Sequence, residues 1–186
     1  MMPRIYIESC QFIDMAKHRA KLKLHDDATE EAKRRSNVWY CDKLLEAARA
    51  AQVTIFTSFI TIAECTGIQD GNVTPSDEVK RFYMSLLSSG KSGVTLVQPT
   101  LGIMERARLL RWNSGITLGG IDAIHVASAI QMKCEEILTT DRKFFTNADK
   151  LQELAVRVCQ ASDTKCLPAS YNQYELSQPP PAASSQ

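Results

Sequence analysis

The chain has 186 residues, of which 44% are hydrophobic and 23% charged, and its formal net charge is +1. That length holds one domain with a real core plus a short tail, but not comfortably two, and the composition is that of a soluble globular protein. The balanced charge excludes a global basic field, so any polyanion has to be held by local basic residues and by metal.

Six cysteines at 10, 41, 65, 134, 159 and 166 form no CxxC pair, and the three histidines at 18, 25 and 125 are scattered. Zinc therefore has little support, and the cysteines read as packing residues. With no signal peptide and no run of 18 or more apolar residues, the expectation is a cytoplasmic protein with reduced thiols and no membrane contact.

Ile5-Tyr6-Ile7 reads as a first, central strand. Glu8 ends it, and Ser9 is a plausible cap for a helix over Cys10 to Lys17. The charged stretch from Lys17 to Glu31 reads as a solvated connection, and Ala28 to Ala51 carries the apolar rhythm of one helix or two. Val53 to Phe56 is a second strand. Ser58 caps a helix from Phe59 to about Gly67 that carries Glu64. A turn over Gly71 to Ser76 precedes an amphipathic helix from Asp77 to Leu87. Val94 to Val97 is the third strand, and Thr100 to Trp112 the helix after it.

Gly119 to Phe145 is the most informative stretch. Asp122 follows two glycines and opens an apolar run, Ile121, Ile124, Val126, Ala127 and Ile130, spaced as a buried helix face. Ile137-Leu138-Thr139 is a short fourth strand, and Asp141 follows. Ala148 to Leu154 makes a short helix, and Ala155 to Val158 a candidate edge strand. The alternation predicts an α/β fold, a three-layer α/β/α arrangement around a mostly parallel sheet of four to five strands. A domain over residues 1–160 is followed by a Pro/Ser/Gln-rich tail over 161–186, expected to be flexible.

On this architecture Glu8 and Asp141 lie at strand C-terminal ends, Asp122 at a helix start and Glu64 within two turns of one. All four map to one edge of the sheet, where α/β proteins bind ligands. Taken singly, Asp122 is a helix cap, Asp141 a turn residue, Glu8 a surface charge and Glu64 a partner for an arginine. Crowded together, four carboxylates repel unless they take up protons or a cation. Oxygen-only ligation suits Mg²⁺ or Mn²⁺, either of which can activate water for attack on a phosphate.

At IYIESCQFID, TSFITIAEC and GGIDAIHVASAIQMKCEEILTTDRKF the sequence resembles the PIN-domain family of metal-dependent ribonucleases, especially VapC-like members, over most of residues 4 to 158. The family's first acid is usually an aspartate followed by Thr-Asn, where this chain has Glu8-Ser9-Cys10. The resemblance implies Glu8, Glu64, Asp122 and Asp141 as metal-binding and catalytic acids, with Ser9 and Thr140 orienting carboxylates or waters. It implies an endoribonuclease cleaving RNA by metal-activated water, the toxin of a toxin–antitoxin pair with a small antitoxin protein as partner, and a homodimer. Arg106, Arg108, Arg111, Arg142 and Lys143, with the Lys17–Lys23 cluster, are candidate contacts for RNA phosphates, against a default of solvated surface. His125, one turn after Asp122, reads as a packing histidine. The alternative is a catalytically weakened PIN-like RNA-binding or protein-interaction module, favoured by Glu8 and Cys10.

Overall fold

A strand buried on both faces needs apolar side chains at successive positions. Ile5, Tyr6 and Ile7 meet that need and are fully buried. In a computed structural model of the chain, which describes residues 2–67 and 74–171, they form the middle of one five-stranded parallel sheet. Its strands are β1 (Arg4–Ile7), β2 (Thr54–Ser58), β3 (Val94–Val97), β4 (Glu136–Leu138) and β5 (Arg157–Cys159), in the spatial order β3-β2-β1-β4-β5. The edge strand expected near Val158 is β5, and it runs parallel to β4.

Two helices, α1 (Ser9–Arg19) and α2 (Ala28–Arg49), join β1 to β2. The connection from β2 to β3 contains α3 (Ile60–Glu64) and α4 (Asp77–Tyr83), which runs into a π-helical turn at Met84–Ser88. Next, α5 (Leu101–Asn113) and α6 (Gly120–Gln131) join β3 to β4, and α7 (Arg142–Thr146) and α8 (Ala148–Glu153) precede β5. Alternation along the strands divides the core in two. Ile5, Ile7, Ile55 and Leu138 pack against α1, α2 and α4 on one face. Tyr6, Phe56 and Ile137 pack against α5, α6 and α8 on the other. Each fully buried large apolar side chain contributes about 1.5–3 kcal/mol. The result is the expected three-layer α/β/α fold.

Ala28 onward is one helix, with Asp27 accepting hydrogen bonds from Thr29 N and Glu30 N at its start. The buried Asp14 carboxylate ties α1 to α2 through Arg34 at 2.8 Å. Two local expectations change. The cap of α1 is Glu8 rather than Ser9, and a five-residue helix, α7, follows Asp141 directly. Residues 161–171, assigned from composition to the tail, pack on the body. Ala161 and Cys166 are buried, and Asn37 accepts from Ser162 N at 3.0 Å. Residues 172–186, with the QPPPAASSQ run, and the 71–73 part of the turn expected at Gly71 to Ser76 lie outside the described residues. All six cysteines are free, five of them buried. No helix among the described residues is long and apolar enough to cross a membrane.

Candidate active site

The strand order places β4 beside β1, while the chain left β1 in the other direction, toward β2 and β3. Such a switch opens a crevice at the strands' C-terminal ends. Ile7 pairs with Leu138, so the next residues out, Glu8 and Thr139, face each other across that crevice. Glu8 is only 5% exposed. Its Oε1 accepts from Ser9 Oγ at 2.5 Å and from Cys10 N at 3.3 Å, and its Oε2 accepts from Thr139 Oγ1 at 3.0 Å. Thr139 Oγ1 also accepts from Asp141 N at 3.0 Å. The orienting contact expected of Thr140 thus belongs to Thr139. Thr140 donates to Cys10 Sγ instead, from N at 3.2 Å and Oγ1 at 3.3 Å. Asp141 caps α7, accepting from Lys143 N at 2.9 Å.

Across the crevice Glu64, the last residue of α3, meets the fully buried His125 of α6, with Nε2 and Oε2 2.7 Å apart. Ligand atoms of Glu8, Glu64 and His125 all lie within 4.8 Å of one another. Ala123, Val126, Ala127 and Ala129 are fully buried against the sheet and fix the rotation of α6. Asp122 is half-buried in its first turn, three residues after the cap Gly119. Burial raises the Asp122 carboxyl above its ordinary pKa. Asp141 and Glu8 push it the same way, while Lys143 and the Gly119 N–H oppose them. A Cβ on Gly119 would come to 3.1 Å from Asp122 Oδ2.

The structure therefore gathers Glu8, Glu64 and His125 most tightly, with Asp122 and Asp141 as electrostatically coupled neighbours. His125 is a buried, satisfied histidine, as read, yet its partner is an acid of the site. Its spacing of one helical turn from Asp122 was the available signal. Among the described residues no lysine or arginine pairs with Glu8 or Glu64, so the accumulated negative charge fits a divalent cation. Oxygen donors from several carboxylates suit such an ion.

Two hollows carry basic residues. A groove of about 630 Å³ between α5 and α6 is lined by Met104, Arg108, Arg111, Trp112, Gly120 and Ile121 among others. Trp112 is 68% exposed, and the Arg108 guanidinium, which also pairs with Glu105, stacks over its ring at 4.7 Å. A cleft of about 690 Å³ includes Cys10, His25, Arg34, Thr140, Asp141 and Arg142. Of the basic residues singled out from sequence, Arg108 and Arg111 line the groove and Arg142 lines the cleft. Lys143 lies close enough to act on Asp122, and Arg106 is exposed on α5 but lines neither hollow.

A family model described as PIN domain matches residues 32–151, more than half of the chain. The chain belongs to the PIN domain family. PIN domains are generally nucleases that use divalent metals and bind nucleic acid. Glu64, Asp122 and Asp141 fall inside the match, whereas Glu8 precedes it and joins them through the crevice between β1 and β4. No curated protein and no solved structure is detectably similar to this PIN domain.

Proposed function

We propose that this PIN domain is a Mg²⁺- or Mn²⁺-dependent endoribonuclease in which Glu8, Glu64, Asp122 and Asp141 hold the cation and form the catalytic centre. The observation that carries the reading is the approach of Glu8 and Glu64 to within 4.8 Å in a buried crevice, beside an Asp122 carboxyl that Glu8 and Asp141 both raise. When bound, the cation supplies a Lewis acid and an acidified water for in-line attack on a phosphodiester. Ser9, Cys10 N and Thr139 fix the Glu8 carboxylate, so its orientation is set before substrate arrives. RNA phosphates are offered Arg108 and Arg111 in the groove between α5 and α6 and Arg142 in the cleft that includes Asp141, and the exposed Trp112 ring is a surface on which an unpaired base stacks. The VapC-like motifs favour the toxin of a toxin–antitoxin pair, acting as a homodimer in the cytoplasm and silenced by a small antitoxin protein.

A second reading, a PIN domain that binds RNA or protein with weakened catalysis, draws on Glu8 itself. Its extra methylene and its three neutral donors change the geometry offered to a cation. The experiment is a cleavage assay on single-stranded and structured RNA with Mg²⁺ or Mn²⁺, comparing wild type with Asp122→Asn. Cleavage that requires metal, stops with EDTA and disappears in Asp122→Asn supports the nuclease. RNA binding without cleavage under either metal supports the second reading.

A further inference from the structure

Glu8 and Glu64 are held in different ways. Glu8 has three donors from its own crevice, whereas Glu64 ends a five-residue helix and its side chain leans on His125 alone among the described residues. His125 is fully buried, and its second nitrogen, Nδ1, lies 2.7 Å from the Tyr6 hydroxyl. Tyr6 is also fully buried, its ring edge-on to the imidazole. Burial pushes its phenol far above the ordinary value, so the hydroxyl keeps its proton.

The direction of this chain of hydrogen bonds follows from the groups at its two ends. At one end Glu64, as a carboxylate, can only accept from Nε2, and at the other the Tyr6 hydroxyl lies 2.7 Å from Nδ1 with a proton to give. With the ring proton committed to Glu64, Nδ1 of a neutral imidazole is left to accept from the Tyr6 hydroxyl. A neutral imidazole that accepts at Nδ1 carries its proton on Nε2, and Nε2 is the atom facing Glu64. The opposite tautomer would set the Nε2 lone pair against a carboxylate oxygen at 2.7 Å, with nothing to hold the two together.

We propose that Tyr6 and His125 are positioning residues for Glu64. The buried phenol fixes the imidazole as its Nε2–H tautomer, and that N–H fixes Glu64 Oε2. The inference rests on the reading of Glu64 as a cation ligand, and it sharpens that reading in one respect. His125 lies as close to Glu8 and Glu64 as a ligand would, yet its Nε2 lone pair is not on offer. The centre therefore stays oxygen-only, and its imidazole acts one bond further out, where such partners change metal affinity about 10- to 100-fold.

The test uses the full chain labelled with ¹⁵N-histidine. Long-range ¹H–¹⁵N spectra should show His125 protonated at Nε2 and bare at Nδ1, with and without Mg²⁺, and Tyr6→Phe should erode that preference. In Mn²⁺ titrations His125→Leu should weaken affinity about 10- to 100-fold. Tyr6→Phe should weaken it less, and His125→Gln, which keeps a donor N–H, should recover most of the loss. An Nδ1–H or doubly protonated ring in wild type, or nitrogen hyperfine coupling from His125 to bound Mn²⁺, overturns the proposal. Wild-type Mn²⁺ affinity in both His125→Leu and Tyr6→Phe does the same. No readout involves RNA cleavage. A protein that binds Mn²⁺ as described but cuts no RNA defeats the nuclease reading alone, and one that cuts RNA with an Nδ1–H imidazole defeats this one alone.

Discussion

Two glutamates on adjacent strands meet opposite fates at opposite ends of the sheet. Glu136 opens β4 and is 3% exposed, while Glu8 follows β1 and is 5% exposed. Glu136 accepts from Arg157 Nη1 at 2.6 Å, from Lys165 N at 3.1 Å and from Thr164 Oγ1 at 2.6 Å. Arg157 is anchored in turn on the Asp163 carbonyl. Among the described residues Glu8 receives neutral donors only, and it acts on Asp122 as one acid on another. Burial is the same in both, so burial does not distinguish a structural acid from a working one. What differs is whether the chain supplies the cation.

The widest separation between the two comes from removing one partner at each end. Arg157→Met leaves Glu136 buried beside neutral groups and should lower unfolding stability by about 3 kcal/mol, read as a shift in urea midpoint. Glu8→Gln removes a charge that no lysine or arginine among the described residues answers. In EDTA it should unfold at the wild-type midpoint or above it. With Mn²⁺ present, RNA cleavage should fall by on the order of 10²-fold or more, since metal stabilisation of the transition state amounts to several kcal/mol. Equal destabilisation by the two substitutions would break the contrast, because Glu8 would then be structural too.

Sequence reasoning reaches part of this contrast and stops for identifiable reasons. Ile5-Tyr6-Ile7 is legible as a strand because it is a continuous apolar run, and Val94 to Val97 because it is rich in β-branched residues. Glu8 and Asp141 stand out because each follows such a run. Glu136 does not, since its partners lie 21, 28 and 29 positions away and come together only when β5 pairs with β4. The choice between Thr139 and Thr140 depends on the register of Ile7 against Leu138, and a shift of one residue exchanges their roles. With five residues, α7 is too short to show a helical period. Composition assigned 161–171 to the tail, although Cys166 and Ala161 are buried. His125 looks the same in sequence whether its neighbour is a leucine or a glutamate.

A smaller effect tests whether the acids crowd one another when no metal is present. Burial, with Asp141 and Glu8, raises the Asp122 carboxyl, against Lys143 and the Gly119 N–H. An acid with a raised pKa binds its proton more tightly folded than unfolded. Its ionised form therefore costs stability above the folded pKa, and that cost fades as pH falls through the folded value toward the unfolded one. In EDTA, Asp122→Asn should melt above wild type at pH 7, with the gap closing as pH drops through the carboxylate range. Adding Mn²⁺ at pH 7 should reverse the order, because binding stabilises wild type by mass action. A gap that persists at low pH would mean the asparagine gains from packing, and the acids would not be in electrostatic conflict.

The smallest effect supplies a change in stability that touches neither glutamate. Lys21, Ala51, Lys133 and Ala155 all have positive φ, between 54° and 62°, and each directly follows the last capping residue of a helix. Helices commonly end on such a left-handed residue, usually glycine, and an L side chain there costs roughly 1–2 kcal/mol. Ala155 sits after α8, before the edge strand β5. Replacing it with glycine removes the strained Cβ but adds freedom to the unfolded chain, which returns roughly 0.5–1 kcal/mol of that gain. Ala155→Gly should raise stability by about 0.5–1 kcal/mol in urea unfolding and leave Mn²⁺ affinity at the wild-type value. Should its Mn²⁺ affinity rise with stability, the site would be strengthened by tightening the fold anywhere. The cleavage lost in Glu8→Gln could then no longer be assigned to the missing charge alone.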